Sequence, residues 1–172
     1  MKPVAPLRRS LRKARRDQRQ RGAVLIELAI VLPLLLLLSL ATIEFARAIN
    51  AYKVVVNQVR QAARHLATKT PGSGHGEAAC IVRYGLPNCS GTAIMSGLVT
   101  ATVVVQDASN AQSTHRAQLT STGSSGVAVN LVTVTASGVR YQLLTGGFLS
   151  GIFGNTTTIT FSPISSTMRQ TL

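Results

Sequence analysis

Tryptophan is absent, and three Tyr and four Phe bring aromatics to only 4% of the 172 residues. Acids are scarce as well: Asp17, Glu27, Glu44, Glu77 and Asp107 stand against 18 Lys and Arg. No two of them lie close in sequence, so the carboxylate pair that much acid–base catalysis uses is missing. Cysteine occurs twice, at 80 and 89, with no nearby pair of histidines to complete a zinc site. His65, His75 and His115 have no ligand spacing of their own and read as surface or linker residues. No nucleophile-elbow motif is present. The expectation is a non-enzymatic chain that needs no cofactor and no metal. Disorder is excluded from the other side, because 45% of the residues are hydrophobic.

The formal charge of +13 is unevenly spread. Lys2, Arg8, Arg9, Arg12, Lys13, Arg15, Arg16, Arg19 and Arg21 crowd into residues 1–22, with Asp17 as the one acid there. A nucleic-acid arm is the weaker reading of this tail, since it has no aromatic side chain to stack on a base. It abuts residues 23–43, AVLIELAIVLPLLLLLSLATI, whose one charge is Glu27. As a helix that stretch is about 31 Å long, close to the ~30 Å hydrocarbon core of a bilayer. It is apolar on every face, which soluble helices seldom are. Pro33 is tolerable in such a helix. The positive-inside rule then places residues 1–22 in the cytoplasm and everything after 43 across the membrane. A cleaved secretory signal is the rival reading, with Ala46-Arg47-Ala48 as a loose small-x-small site.

A carboxylate within an apolar span is costly and is a functional hypothesis by default. Cleavage after Gly22 would give Glu27 a partner. Ala23 would carry a new amine, and positions 23 and 27 share one helix face. Arg-Gln-Arg-Gly22 followed by Ala23-Val-Leu-Ile-Glu27 resembles the type IV prepilin processing site. In that family a basic leader ends in Gly, Glu holds the fifth mature position and the apolar helix is retained. The resemblance implies processing by a prepilin peptidase, a membrane aspartyl protease cutting on the cytoplasmic side. More narrowly, residues 22–68 resemble TadE-like proteins, minor pilins or pseudopilins of the tight-adherence (Flp) type IVb pilus. Glu27, Pro33, the Leu run 34–38, Glu44-Phe45 with Arg47, and Ala62-Ala63-Arg64 carry the likeness. Residues 159–169 resemble the family's closing strand. The TadF type starts similarly; TadG chains are usually much longer.

Beyond the span, Phe45, Ile49, Tyr52, Val56, Val59, Ala63 and Leu66 recur at spacings of four and three, which predicts an amphipathic helical continuation over 44–70. Its stripe is expected to pack mainly on the protein's own domain and secondarily on other pilin helices. Glu44 and Arg47 are expected to form an exposed pair. Pro71 and Gly72 end the helix, and 71–77, PGSGHGE, reads as a flexible connection. Its glycines lack the preceding strand and following Gly-Lys of a phosphate loop. In an oxidising compartment Cys80 and Cys89 are expected to form a disulfide, worth about 2–3 kcal/mol by loop-closure entropy; two free thiols are the alternative.

Residues 98–106, 127–136, 139–144 and 156–161 read as strands, with Ser137-Gly138 a tight turn between two of them. Residues 107–126 read as an exposed loop. The segment 143–154 is rich in apolar residues and glycine. Phe148, Leu149, Ile152 and Phe153 there form either a flap over the core or a contact with a subunit or the membrane surface. The sequons at Asn88 and Asn155 are discounted.

The fold expected is α+β: a long N-terminal helix, membrane span continuing into amphipathic helix, packed on a small antiparallel β-sheet domain. Its parts are a leader (1–22), a transmembrane helix (23–43), the helical continuation (44–70) and a periplasmic domain (71–172). The function expected is pilus assembly as a minor pilin or pseudopilin, located in the bacterial inner membrane with the pilus as a further destination. Its partners are the membrane, the prepilin peptidase, other pilin subunits and the assembly machinery, with neither nucleic acid nor a small-molecule substrate. The alternative is an uncleaved single-pass scaffold or binding protein of a secretion system.

Overall fold

The computed structural model describes residues 6–116, 118–119, 128–144 and 157–171, and of 6–23, 118–119 and 128 the backbone alone. The chain divides into two compact units, Met1–Ile43 and Glu44–Leu172. Helix α1 (Pro6–Ala67) contributes to both.

In the first unit none of residues 24–43 is buried. Pro33 sits inside the helix and has no N–H to offer the carbonyl of Ala29. The two hydroxyls of the segment are satisfied locally. Ser39 Oγ donates to the Leu36 carbonyl at 2.8 Å and Thr42 Oγ1 to the Leu38 carbonyl at 2.7 Å, which removes two exposed donors from an apolar surface.

The second unit is the α+β body. Here α1 buries Glu44, Ala48, Val55, Val59, Ala62, Ala63 and Leu66. These positions keep the 3.6-residue period, but the buried face is rotated from the stripe expected. Val59, Ala63 and Leu66 are inside, whereas Phe45, Ile49 and Tyr52 are exposed. The rotation follows from a polar anchor: Glu44 turns inward to accept from the Tyr141 hydroxyl and the Leu144 N–H and carries Phe45 outward. Glu44 and Arg47 are therefore not the exposed pair expected.

Helix α2 (His75–Tyr84) buries Ala78, Ile81 and Val82, and Gly85 caps it at φ 78° with its N–H on the Ile81 carbonyl, 2.9 Å. Only glycine enters that left-handed conformation without strain. The flexible connection expected over 71–77 is in fact pinned. The Gly72 N–H donates to Asp107 Oδ2 at 2.7 Å, Ser73 bonds back to Thr70, and α2 starts at His75. A short turn, α3 (Ser96–Val99), stands where a strand was expected to begin. Gly97 in it is buried against the backbone of Arg140, and a Cβ would collide with that carbonyl oxygen.

Strand β1 (Thr102–Gln106) follows, then α4 (Gln112–His115), β2 (Gln118–Leu119), β3 (Ala128–Val129), β4 (Leu131–Ser137), β5 (Arg140–Gln142), β6 (Thr158–Thr160) and β7 (Ile164–Arg169). The main sheet is antiparallel in the order β1-β4-β7, registered by Val105↔Val134 and Ala136↔Ile164. Val132, Val134 and Ala136 point inward in alternation and meet Val55, Val59, Ala62 and Leu66 of the helix in one core. β2 pairs with β3, and β5 with β6. Ser137-Gly138 therefore joins two sheets rather than closing a hairpin.

The stretch 107–126 is not simply an exposed loop. Asp107 and His115 are buried, and His115 Nε2 lies 2.8 Å from Thr133 Oγ1, which in turn bonds Thr167. The other two histidines are engaged as well, His65 with Glu77 and His75 with Asp107, each at 2.7 Å.

Candidate functional site

The chemistry of this chain lies along α1 and at the points where the body grips it. Gly22 and Ala23 lie within the helical backbone, and glycine costs about 1 kcal/mol against alanine inside a helix. Glu27 is exposed one turn beyond Ala23, the one charge in a segment of mean hydropathy 2.7. By length and composition this helix can cross a membrane. Such a surface can pack against lipid or other apolar helices, and a carboxylate on it sets register wherever a cation meets it.

The second feature is Glu44, 4% exposed. Its Oε1 accepts from the Tyr141 hydroxyl at 3.0 Å and from the Leu144 N–H at 3.1 Å. Arg47 Nε donates to the same Tyr141 oxygen at 3.4 Å. The Tyr141 ring stacks on Phe161, 6.3 Å between centroids, and Phe161 meets Tyr52 edge-on at 5.6 Å. One carboxylate thus ties the first turn of this unit's helix to the β5–β6 ladder. An acid directly after the apolar run was the available signal; its partner, almost a hundred residues later, was not visible.

The third is Asp107, 1% exposed. Oδ2 accepts from Gly72 N–H and His75 Nε2, both at 2.7 Å, and Oδ1 from the Ser109 N–H at 2.9 Å and the Ser109 hydroxyl. Burial opposes ionisation, but the bonds from Ser109, Gly72 and His75 outweigh it and hold the carboxyl well below the usual range. The neighbouring Glu77 is also lowered, by His65 first and Lys69 second. Both acids clasp the corner between α1 and α2.

Cys80 and Cys89 form a disulfide, Cα atoms 4.7 Å apart. Phe148, Leu149, Ile152 and Phe153 lie outside the described residues.

Together these features define a class: a small α+β body whose longest helix is preceded by an exposed apolar segment of membrane length. Residues 22–64 match the family model of the TadE-like protein, as the sequence resemblance implied. The match covers about a quarter of the chain, starts at Gly22, and suggests a protein associated with the Tad pilus. Neither the curated proteins nor the solved structures gave a match.

Proposed function

We propose that this chain is a minor pilin or pseudopilin acting in assembly of a tight-adherence (Flp) type IVb pilus. The observation that carries the reading is the TadE-like match over 22–64, which opens at the expected cleavage position and contains Glu27. In this reading the leader 1–22 stays cytoplasmic, 23–43 spans the inner membrane, and the helical continuation 44–70 and the domain 71–172 are periplasmic. A prepilin peptidase cuts after Gly22. The freed Ala23 ammonium pairs with Glu27 of its own or a neighbouring subunit, and the ion pair sets helix register in the lipid, where an unpaired carboxylate costs about 3 kcal/mol at the bilayer centre. The work is insertion, register and packing, with no chemical step.

Mass spectrometry of the N-terminus, with and without the peptidase, tests the processing. A start at Ala23 that depends on the peptidase is expected. A start at Met1 in both strains leaves an uncleaved membrane-anchored scaffold, and a start at Ile49 makes the apolar segment a discarded signal. Glu27→Gln is expected to leave insertion and cleavage intact and to abolish assembly; normal pili from that variant defeat the register mechanism.

A further inference from the structure

The β5–β6 ladder runs alongside the helix of the same unit in a defined direction. At one end Phe161 packs on Tyr52 and donates its N–H to the Val139 carbonyl at 2.9 Å. At the other, Tyr141 and the Leu144 N–H reach Glu44. From Val139 to Leu144 the arm therefore moves from the level of Tyr52 to that of Glu44, the residue next in the chain to Ile43, where the apolar run stops. The return arm is held at the same level, because the Leu143 N–H donates to the Thr157 carbonyl at 2.9 Å.

Apolar side chains are exposed at this end. Phe45 is 68% exposed, Leu144 72% and Ile159 39%. The cation Arg47 is exposed one turn along the helix from Glu44. The twelve residues between Leu144 and Thr157 lie outside the described residues; in sequence they carry no charge and four large apolar side chains. Exposed apolar side chains with an arginine beside them match the composition of a membrane–water interface.

We infer that the Glu44 end of the body is a second membrane contact. Phe45, Leu144 and Ile159 rest in the headgroup region of the bilayer that 23–43 crosses, with Arg47 among the phosphates. Interfacial contacts of this kind bury apolar groups about 5–10 Å into the headgroup boundary. The Glu44 bonds hold the arm at the level where lipid begins. The inference rests on 23–43 spanning a membrane and is independent of processing.

Because the chain has no Trp, single-Trp variants report without background. Full-length Leu144→Trp, Ile159→Trp, Leu36→Trp and Ile94→Trp are reconstituted in phosphatidylethanolamine–phosphatidylglycerol vesicles, with and without bromine near the headgroup end of the acyl chains. Leu36 probes the span. Ile94 is the distant control, since it packs beside Gly85 near Gln58, about 20 Å along the helix from Glu44. Expected are blue-shifted emission and loss of intensity in brominated lipid for the first three variants, and neither for Ile94→Trp. If Leu36→Trp is quenched while Leu144→Trp and Ile159→Trp emit as in water, the body does not touch lipid and the inference falls. If those two are blue-shifted but unquenched, protein covers them, and it falls equally. An unquenched Leu36→Trp removes the membrane reading itself. Ile159→Trp carries the test should Leu144→Trp fail to fold.

Discussion

Replacing Asp107 by asparagine removes one charge and changes almost nothing in shape, so its cost isolates the clasp at the α1–α2 corner. Four donors converge on the carboxylate: the Gly72 and Ser109 amides, His75 and the Ser109 hydroxyl. In Asp107→Asn one accepting oxygen becomes an NH2 group, which must face donors on whichever side it lies. A hydrogen bond to a charged group is worth about 1.5–3 kcal/mol, and an orphaned buried donor costs a similar amount. The expected loss is about 2–4 kcal/mol at pH 6, a fall of roughly 10 °C in Tm for a body of this size. The pH dependence gives the sharper test. The folded carboxyl titrates below its unfolded value of about 3.9. Its contribution is therefore complete above pH ~4 and is lost as pH falls toward the folded value. Urea unfolding of the full chain in detergent, followed by circular dichroism from pH 6 to pH 2, should show wild type and Asp107→Asn converging in acid. Glu77 titrates there too but is common to both proteins, so it cancels in the difference. A gap that stays constant down to pH 2 would refute the charge-based account, and a gap below 0.5 kcal/mol, roughly the level of an ordinary surface substitution, would refute the clasp.

Further substitutions test the packing at Gly97 and the anchor at Glu44. Gly97→Ala puts a methyl group into the Arg140 carbonyl, and forced repacking of this kind costs about 1–3 kcal/mol; Gly76→Ala, with open space around it, is the matched control in the same melts. Glu44→Ala strands the Tyr141 hydroxyl and the Leu144 amide for a loss of about 2–4 kcal/mol. Glu44→Gln keeps an accepting oxygen and should lose less than half of that, and equal losses in the two variants would show that the charge, not the hydrogen bonds, holds the arm.

What could be read from the sequence was what repeats. The apolar run, the strand over 102–106 and the alternation of 131–137 each announce themselves by period, and the α+β class follows from them. The helix after the span was also periodic, yet its inward face was misplaced by about one position. A sum over apolar residues gives no weight to a buried glutamate, and Glu44 sets the rotation. Helix α2 was missed because PGSGHGE has the composition of a linker. Its rigidity comes from Asp107, more than thirty residues downstream, which no local window contains. The same holds for His115, buried with a bond to a threonine eighteen residues downstream. Polar anchors made at long sequence distance escaped, whereas apolar periodicity did not.

The end of α1 is completed from far along the chain. The Thr171 N–H donates to the Ala67 carbonyl at 3.0 Å, and Gln170 Nε2 lies 3.4 Å from the Leu66 carbonyl and 3.3 Å from that of Lys69. β7, just before them, gives β4 its second neighbour. For a chain synthesised from its N-terminus, this imposes a schedule. The helix is made early, but its core face waits for α2 and then β4, and its last carbonyls stay open until Gln170 and Thr171 have been delivered. Contacts of such sequence separation close slowly, and the waiting apolar surface is a target for misassociation. Maturation is thus gated by arrival of the final strand, and a chaperone or neighbouring helix that shields α1 in the interval would act on the rate of folding rather than on the finished fold.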